Sequence, residues 1–276
     1  AYPSRISLLL SDRNLNDNTV VRRGLEAAQG RYVALLDGDD YWTSTAKLQL
    51  QVDFLERHPE CSTCFHNVEV VYDDQSAPTH LFHLERPKPR LSAAIPKPIS
   101  TLTDIVRGNF IQTCSVVFRN GPTRHLPAWY DAQFLGDWSL HVVNAEHGDI
   151  AYMDDVLAAY RLHPGAAWSS EVSLYRRLED VEAVVQTYDA HNRHLGYAFD
   201  SQIRGCVANL YAHVAYSYYL SGNRGWAQVC AVRALKRSPL RAILRRWRLV
   251  LVLIWSARPS RRRLTSRLRR LWHVGC

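Results

Sequence analysis

The chain has 276 residues, 47% hydrophobic and 22% charged, a balance that excludes intrinsic disorder and allows a sizeable buried core. Its net charge is +8, yet fourteen Lys or Arg and no Asp or Glu lie from Arg233 onward; subtracting them leaves −6 for residues 1–232. The basicity therefore belongs to the tail, which argues against a nucleic-acid-binding body. Six cysteines are too sparse for a disulfide framework, and the lone Cys61-x-x-Cys64 pair reads as buried structural thiols rather than a zinc or redox site. The first residues show no secretory pattern, and the longest apolar run, Leu249 to Trp255, is far shorter than the ~20 residues of a membrane span. These features predict a cytoplasmic protein, free or peripheral on the membrane's cytoplasmic face.

In chain order, Ile6–Leu10 is a short apolar run, read as a strand, and Val20–Gln29 has helical spacing closed by Gly30. Tyr32–Leu36 is a fully apolar strand that runs into Asp37-Gly38-Asp39-Asp40. Lys47–Arg57 predicts a helix with Leu48, Val52 and Leu55 on its inner face, ended by His58-Pro59. Cys64–Tyr72 is a strand, residues 76–100 form a proline-rich loop, and Ile111–Phe118 is a strand before the Asn120-Gly121-Pro122 turn. Asp137–His147 is a helix ended by Gly148, and Ile150–Met153 is a strand. This alternation predicts an α/β fold with a mostly parallel sheet. From Ser170 the pattern is helical, and residues 208–239 have the spacing of one tetratricopeptide-like hairpin. The expected division is a catalytic domain over 1–170, a helical region over 171–239 and a basic amphipathic tail over 240–276.

Three carboxylates in four positions repel one another and call for a cation. Carboxylate oxygens at a strand's C-terminal edge suit Mg²⁺ or Mn²⁺ facing the crevice of an α/β sheet, where the ion would stabilise a departing diphosphate. The alternative on spacing alone is a solvated acidic turn. A calcium loop lacks its other ligands, and a phosphate-processing enzyme would want a glycine-rich cradle.

The stretch Gly24 to Trp42, with Lys47 to Leu55 after it, resembles glycosyltransferase family 2, the GT-A-fold nucleotide-sugar transferases, around the DxD motif. The resemblance implies Asp39 as the main metal ligand, Asp37 at the nucleotide and metal site, and Asp40 in support of the turn. Leu135-Gly136-Asp137-Trp138 is similar to the family's acceptor-site motif, which makes Asp137 the general base; an N-terminal helix cap is the alternative role. Tyr160-Arg161-Leu162-His163 resembles the family's Arg-x-His segment, with His163 directed to the metal or diphosphate and Arg161 to phosphate charge. Asn109, Thr113 and Trp138 are further candidates for an acceptor pocket.

The resemblance implies an inverting, metal-dependent transfer from a nucleotide-diphosphate sugar to a hydroxyl acceptor, such as a glycan or a lipid-linked sugar. It covers residues 1–170 and only the later part of a full GT-A domain, so the chain reads as lacking the first strands and the nucleoside-binding turn. Asn14-Leu15-Asn16 and Val21-Arg22-Arg23 depart from the family pattern, leaving Arg22 or Arg23 to supply a diphosphate cation. A non-catalytic scaffold that retains the transferase fold is the rival reading. The tail interleaves Arg with Leu, Trp247 and Trp272, a pattern suited to an anionic membrane surface.

Overall fold

The computed structural model describes residues 5–13, 15, 17–83, 97–163 and 178–238. Seven strands form one sheet: β1 (Tyr32–Ala34), β2 (Tyr41–Trp42), β3 (Cys61–Tyr72), β4 (His80–Leu81), β5 (Ile99–Ser100), β6 (Val117–Arg119) and β7 (Asp149–Leu162). The described helices are α1 (Thr19–Ala27), α2 (Lys47–Arg57), α3 (Leu102–Ile105), α4 (Gly136–Ala145), α5 (Leu178–His194), α6 (Asp200–Leu220) and α7 (Arg224–Arg237). This is an α/β, GT-A-like domain followed by a helical C-terminal region, as the sequence predicts.

The sheet order is β1-β6-β3-β7-β2, with β4 on β3 and β5 on β7. Among the described strands only the long β3–β7 pair is parallel; the pairings β1–β6, β3–β6, β2–β7, β3–β4 and β5–β7 are antiparallel. Parallel pairing requires a crossover, and the chain from β3 to β7 is long enough to make one. Of the short strands, β4 returns locally on β3, whereas β1, β2, β5 and β6 pair with residues far along the chain; the alternation of strand and helix signals distinguishes neither case. Two of them, β4 and β5, fall inside the predicted 76–100 loop, whose residues 84–96 lie outside the described residues.

The predicted first strand is not formed. Ile6–Leu10 pairs with no strand among the described residues, and Ile6, Leu8 and Leu10 are 65%, 76% and 77% exposed. Strand propensity alone does not hold five residues without a neighbouring edge to satisfy their amides.

Leu55, Cys61, Cys64, Val117 and Ala151 form one core cluster, under α2. Val68, Val70, Phe82, Cys114 and Ala158 form a second, beneath Trp42 and Tyr160. Burial pushes the Cys61 and Cys64 thiols up to about 11 and about 12, which keeps them protonated and inert. The inner face of α2 carries Lys47, Gln51 and Leu55, not the predicted Leu48, which is 40% exposed. Two polar residues can be buried there because each is satisfied. Lys47 Nζ lies 4.6 Å from the Trp42 ring centre and donates to Gln51 Oε1 at 2.8 Å. Gln51 Nε2 in turn donates to the carbonyls of Cys64 and Ser115.

Two compact units are present, Ala1–Cys206 and Val207–Cys276, and the division between them falls inside α6. Helix α5 therefore belongs to the α/β unit. Its Tyr188 hydroxyl donates to the Arg107 carbonyl at 2.6 Å, and His191 Nε2 lies 3.0 Å from Ser139 Oγ on α4. In the second unit, Gly222 (φ +85°) turns the chain between α6 and α7, and the Asn223 side chain caps α7 by accepting from the Trp226 amide. Ala227, Cys230, Ala231 and Ala234 make the buried face of α7, at the spacing expected of a helical hairpin. The basic tail over 240–276 lies outside the described residues. Among the described residues no helix is long and apolar enough to cross a membrane.

Candidate active site

The Asp37–Asp40 turn joins β1 to β2, and β2 pairs with Ala158 and Ala159 of β7. That pairing carries the turn to the end of β7, where Arg161 and His163 emerge. Four of the sequence-predicted residues, Asp39, Asp40, Arg161 and His163, meet there. His163 Nε2 lies 3.1 Å from Asp39 Oδ2. The Arg161 amide donates to Asp40 Oδ1 at 2.9 Å, and Arg161 Nη1 donates to the Asp39 carbonyl at 3.1 Å. Asp40 N–H also bonds back to the Asp37 carbonyl, closing the turn.

The electrostatics are those of crowded carboxylates. Loss of solvent raises the Asp37 carboxyl first, then the charge of Asp39, against a hydrogen bond from Thr113. Asp40, 8% exposed, is raised to about 6, chiefly by burial, with the Arg161 amide and the Cys114 thiol opposing. Its second oxygen, Oδ2, is buried and makes no regular hydrogen bond. Hard oxygen donors with uncompensated charge, beside an imidazole, fit a divalent cation such as Mn²⁺ or Mg²⁺. Among the described residues no three His, Cys, Asp or Glu side chains form a ready cage. The remaining coordination positions would then fall to ligand oxygens and water.

Arg161 has a further partner that the sequence reading missed. Its Nε and Nη2 form a two-pronged pair with Asp73, at 3.1 and 2.5 Å. Asp73 follows β3, and its own amide donates to the Leu162 carbonyl. The guanidinium therefore ties the acidic turn to the ends of β3 and β7. The available signal was another strand running straight into acidic residues, Tyr72-Asp73-Asp74. The proposed diphosphate cation Arg22 is likewise engaged elsewhere: it donates to Asp131 Oδ1 and to the carbonyls of Leu126 and Pro127. Arg23 donates to the Leu10 carbonyl. Asn14 and Asn16 lie outside the described residues.

Asp137 is in the first turn of α4, whose cap position is Leu135, so it is not the cap residue. Its Oδ2 accepts from Asn109 Nδ2 at 2.8 Å. Burial raises its carboxyl to about 6; the Trp138 amide opposes this, the charge of Asp37 adds to it, and Asn109 opposes it. Asp137 is thus close enough to the acidic turn to feel it, while held by a different set of residues.

The α4 scaffold under Asp137 is rigid. Trp138 is 2% exposed and its Nε1 donates to the Ile105 carbonyl at 2.7 Å. Tyr188 and His191 of α5 pack edge-on against its ring. Trp138 is therefore a core residue and not part of an acceptor pocket. Thr113 stays at the site as the Asp37 partner, and Cys114 next to it accepts from Trp42 Nε1 through its carbonyl.

The fold is that of a GT-A-like α/β domain with an acidic turn at the strand ends. Residues 1–119 match the family described as Glycosyl transferase family 2. Asp37, Asp39 and Asp40 lie within the match, whereas Asp137, Arg161 and His163 lie beyond it. The chain is also similar to uncharacterized proteins of Mycobacterium bovis and Mycobacterium tuberculosis, each 38% identical over 173 residues. The similarity covers 61% of this chain and 45% of each relative, so the chain spans about half the length of the curated relatives it matches.

Proposed function

We propose that the chain transfers a sugar, of the hexosyl type, from a nucleotide-diphosphate donor to a hydroxyl acceptor, with inversion and with a divalent cation. The observation that supports this reading is the pair of carboxylate stations near each other, with Asp137 feeling the charge of the acidic turn. Asp39 stands with His163 at the acidic turn, and Asp137 stands apart, held by Asn109. Asp39, Asp37 and His163 are the residues that would hold Mn²⁺ or Mg²⁺, and when bound the ion supplies charge neutralisation for the leaving diphosphate.

The protein's own residues do the rest. Arg161 and Asp73 fix the turn that presents Asp39. Asp137, with a carboxyl near 6, is ionised at neutral pH and takes the proton of the acceptor hydroxyl as it attacks opposite the diphosphate. Asp40 supports the turn through the Arg161 amide. The acceptor is read as a glycan or lipid-linked sugar of the cell envelope, with the basic tail over 240–276 resting on the anionic cytoplasmic face of the membrane.

The test is nucleoside diphosphate release from a panel of UDP- and GDP-sugars with Mn²⁺, for the wild type, Asp39→Ala and Asp137→Asn. Both variants should lose transfer by ~100-fold or more, the usual contribution of a positioned base or of charge stabilisation. Normal transfer by either variant removes that residue from its role. If the wild type neither binds nor turns over any donor, the scaffold reading takes the place of this one.

A further inference from the structure

Asn109 lies between α3 and the Thr113–Ser115 turn, and the backbone decides which way its amide faces. The Ile111 N–H donates to Asn109 Oδ1 at 3.0 Å. With the oxygen end claimed by a donor, the nitrogen end is the one that reaches Asp137 Oδ2 at 2.8 Å. The assignment is not interchangeable, because a flipped amide would set its nitrogen against the Ile111 N–H and its oxygen against a carboxylate.

We propose that Asn109 is a positioning residue for Asp137, holding the carboxylate ionised and in one orientation for the acceptor hydroxyl. This rests on the reading of Asp137 as the base. Among the described residues, the titratable groups that face Asp137 are Asp37 from the acidic turn, Tyr130 from the turn before α4, and Tyr160 from β7. Asp37 disfavours the charge on Asp137, and both phenols are pushed up and stay neutral. The donors that favour the ionised form are the backbone amides at the start of α4 and the Asn109 side chain. Asn109 is thus the one side-chain donor among these groups, and it comes from outside α4.

The proposal separates cleanly from a purely local role of Asn109 in its own turn. Asn109→Asp keeps an oxygen for the Ile111 N–H and so keeps the turn, but sets an acceptor opposite Asp137. Asn109→Ala removes both contacts.

The experiment is a ¹³C carboxyl NMR titration of Asp137 in the full chain without donor or metal, assigned by its loss in Asp137→Asn, with thermal unfolding run in parallel. The midpoint should rise by ~1 pH unit in Asn109→Ala, the value of one hydrogen bond to a charged group, and by more in Asn109→Asp. Asn109→Asp should unfold within a few degrees of the wild type. The Asn109 side-chain amide resonance should also move with the Asp137 titration. An unmoved midpoint in a folded Asn109→Asp protein overturns the proposal. Normal transfer by Asp137→Asn overturns it by the other route, removing the base that Asn109 serves. The two failures read out separately, one in the titration and one in the transfer assay.

Discussion

His141 offers the sharpest test of how the core was read. It lies on α4, is fully buried, and neither ring nitrogen has a hydrogen-bond partner among the described residues. Burial holds its imidazole down to about 3, that of His191 to about 3 and that of His66 to about 4. A base whose folded pKa lies below its unfolded value of about 6.5 contributes stability above that value and loses it as the pH falls. Between about pH 7.5 and about pH 4.5 each of the three withdraws roughly 2–3 kcal/mol. Asp40 and Asp137 act in the opposite sense, because their folded values near 6 lie above the unfolded 3.8. Each gains about 2 kcal/mol of stability over the same interval. The net loss for these five groups is about 4 kcal/mol, a large share of the usual 5–15 kcal/mol of a domain.

His141→Leu removes one imidazole with no lost hydrogen bond. Its stability at pH 7.5 should stay within about 1 kcal/mol of the wild type, and its loss on acidification should fall by roughly 2–3 kcal/mol. Urea unfolding at the two pH values, followed by near-ultraviolet circular dichroism, measures both numbers. If the variant and the wild type lose stability equally between them, His141 is not held neutral by burial and the reasoning fails.

Three further outcomes follow from the site. Asp73→Asn removes the charge that fixes the Arg161 guanidinium, so Mn²⁺-supported nucleoside diphosphate binding should weaken ~10-fold by calorimetry, with Asp137 chemistry otherwise intact. Unchanged binding would mean that Asp73 does not organise the turn. Gly136→Ala sets a Cβ against the Asn18 side chain, whose Nδ2 donates to the carbonyls of Tyr130 and Gln133. Displacing it should cost about 2 kcal/mol in unfolding measurements and slow transfer by shifting the start of α4; a fully stable variant would show that Asn18 is not structural. The transfer rate should climb as pH rises through about 6 and then level, as Asp137 ionises, and a flat profile from about 5 to 8 would speak against that base.

The α/β class and the acidic turn were legible because a buried strand that runs straight into Asp37-Gly38-Asp39-Asp40 leaves both periodicity and charge in the sequence. The helix that carries Asp137 was legible from its local pattern, and so was the helical character of the C-terminal region. The direction of strand pairing was not legible, since short strands such as β4 and β5 are two residues each and carry no pattern. Burial of Lys47 and Gln51 was hidden for another reason: what makes them tolerable is carbonyls and a tryptophan ring distant in sequence. Trp138 looked like a pocket residue because it adjoins Asp137, but successive helix residues point in different directions, and this one points into the core. The pairing of Arg161 with Asp73, 88 positions earlier in the chain, leaves no local pattern in the sequence.

The division of labour between Asp39 and Asp137 is measured most directly by calorimetric binding of UDP and GDP, with and without Mn²⁺, to the wild type, Asp39→Ala and Asp137→Asn. The account predicts Mn²⁺-dependent binding of one nucleotide to the wild type and to Asp137→Asn alike, and at least ~10-fold weaker binding to Asp39→Ala. Equal binding by Asp39→Ala, or binding that requires Asp137, would contradict it.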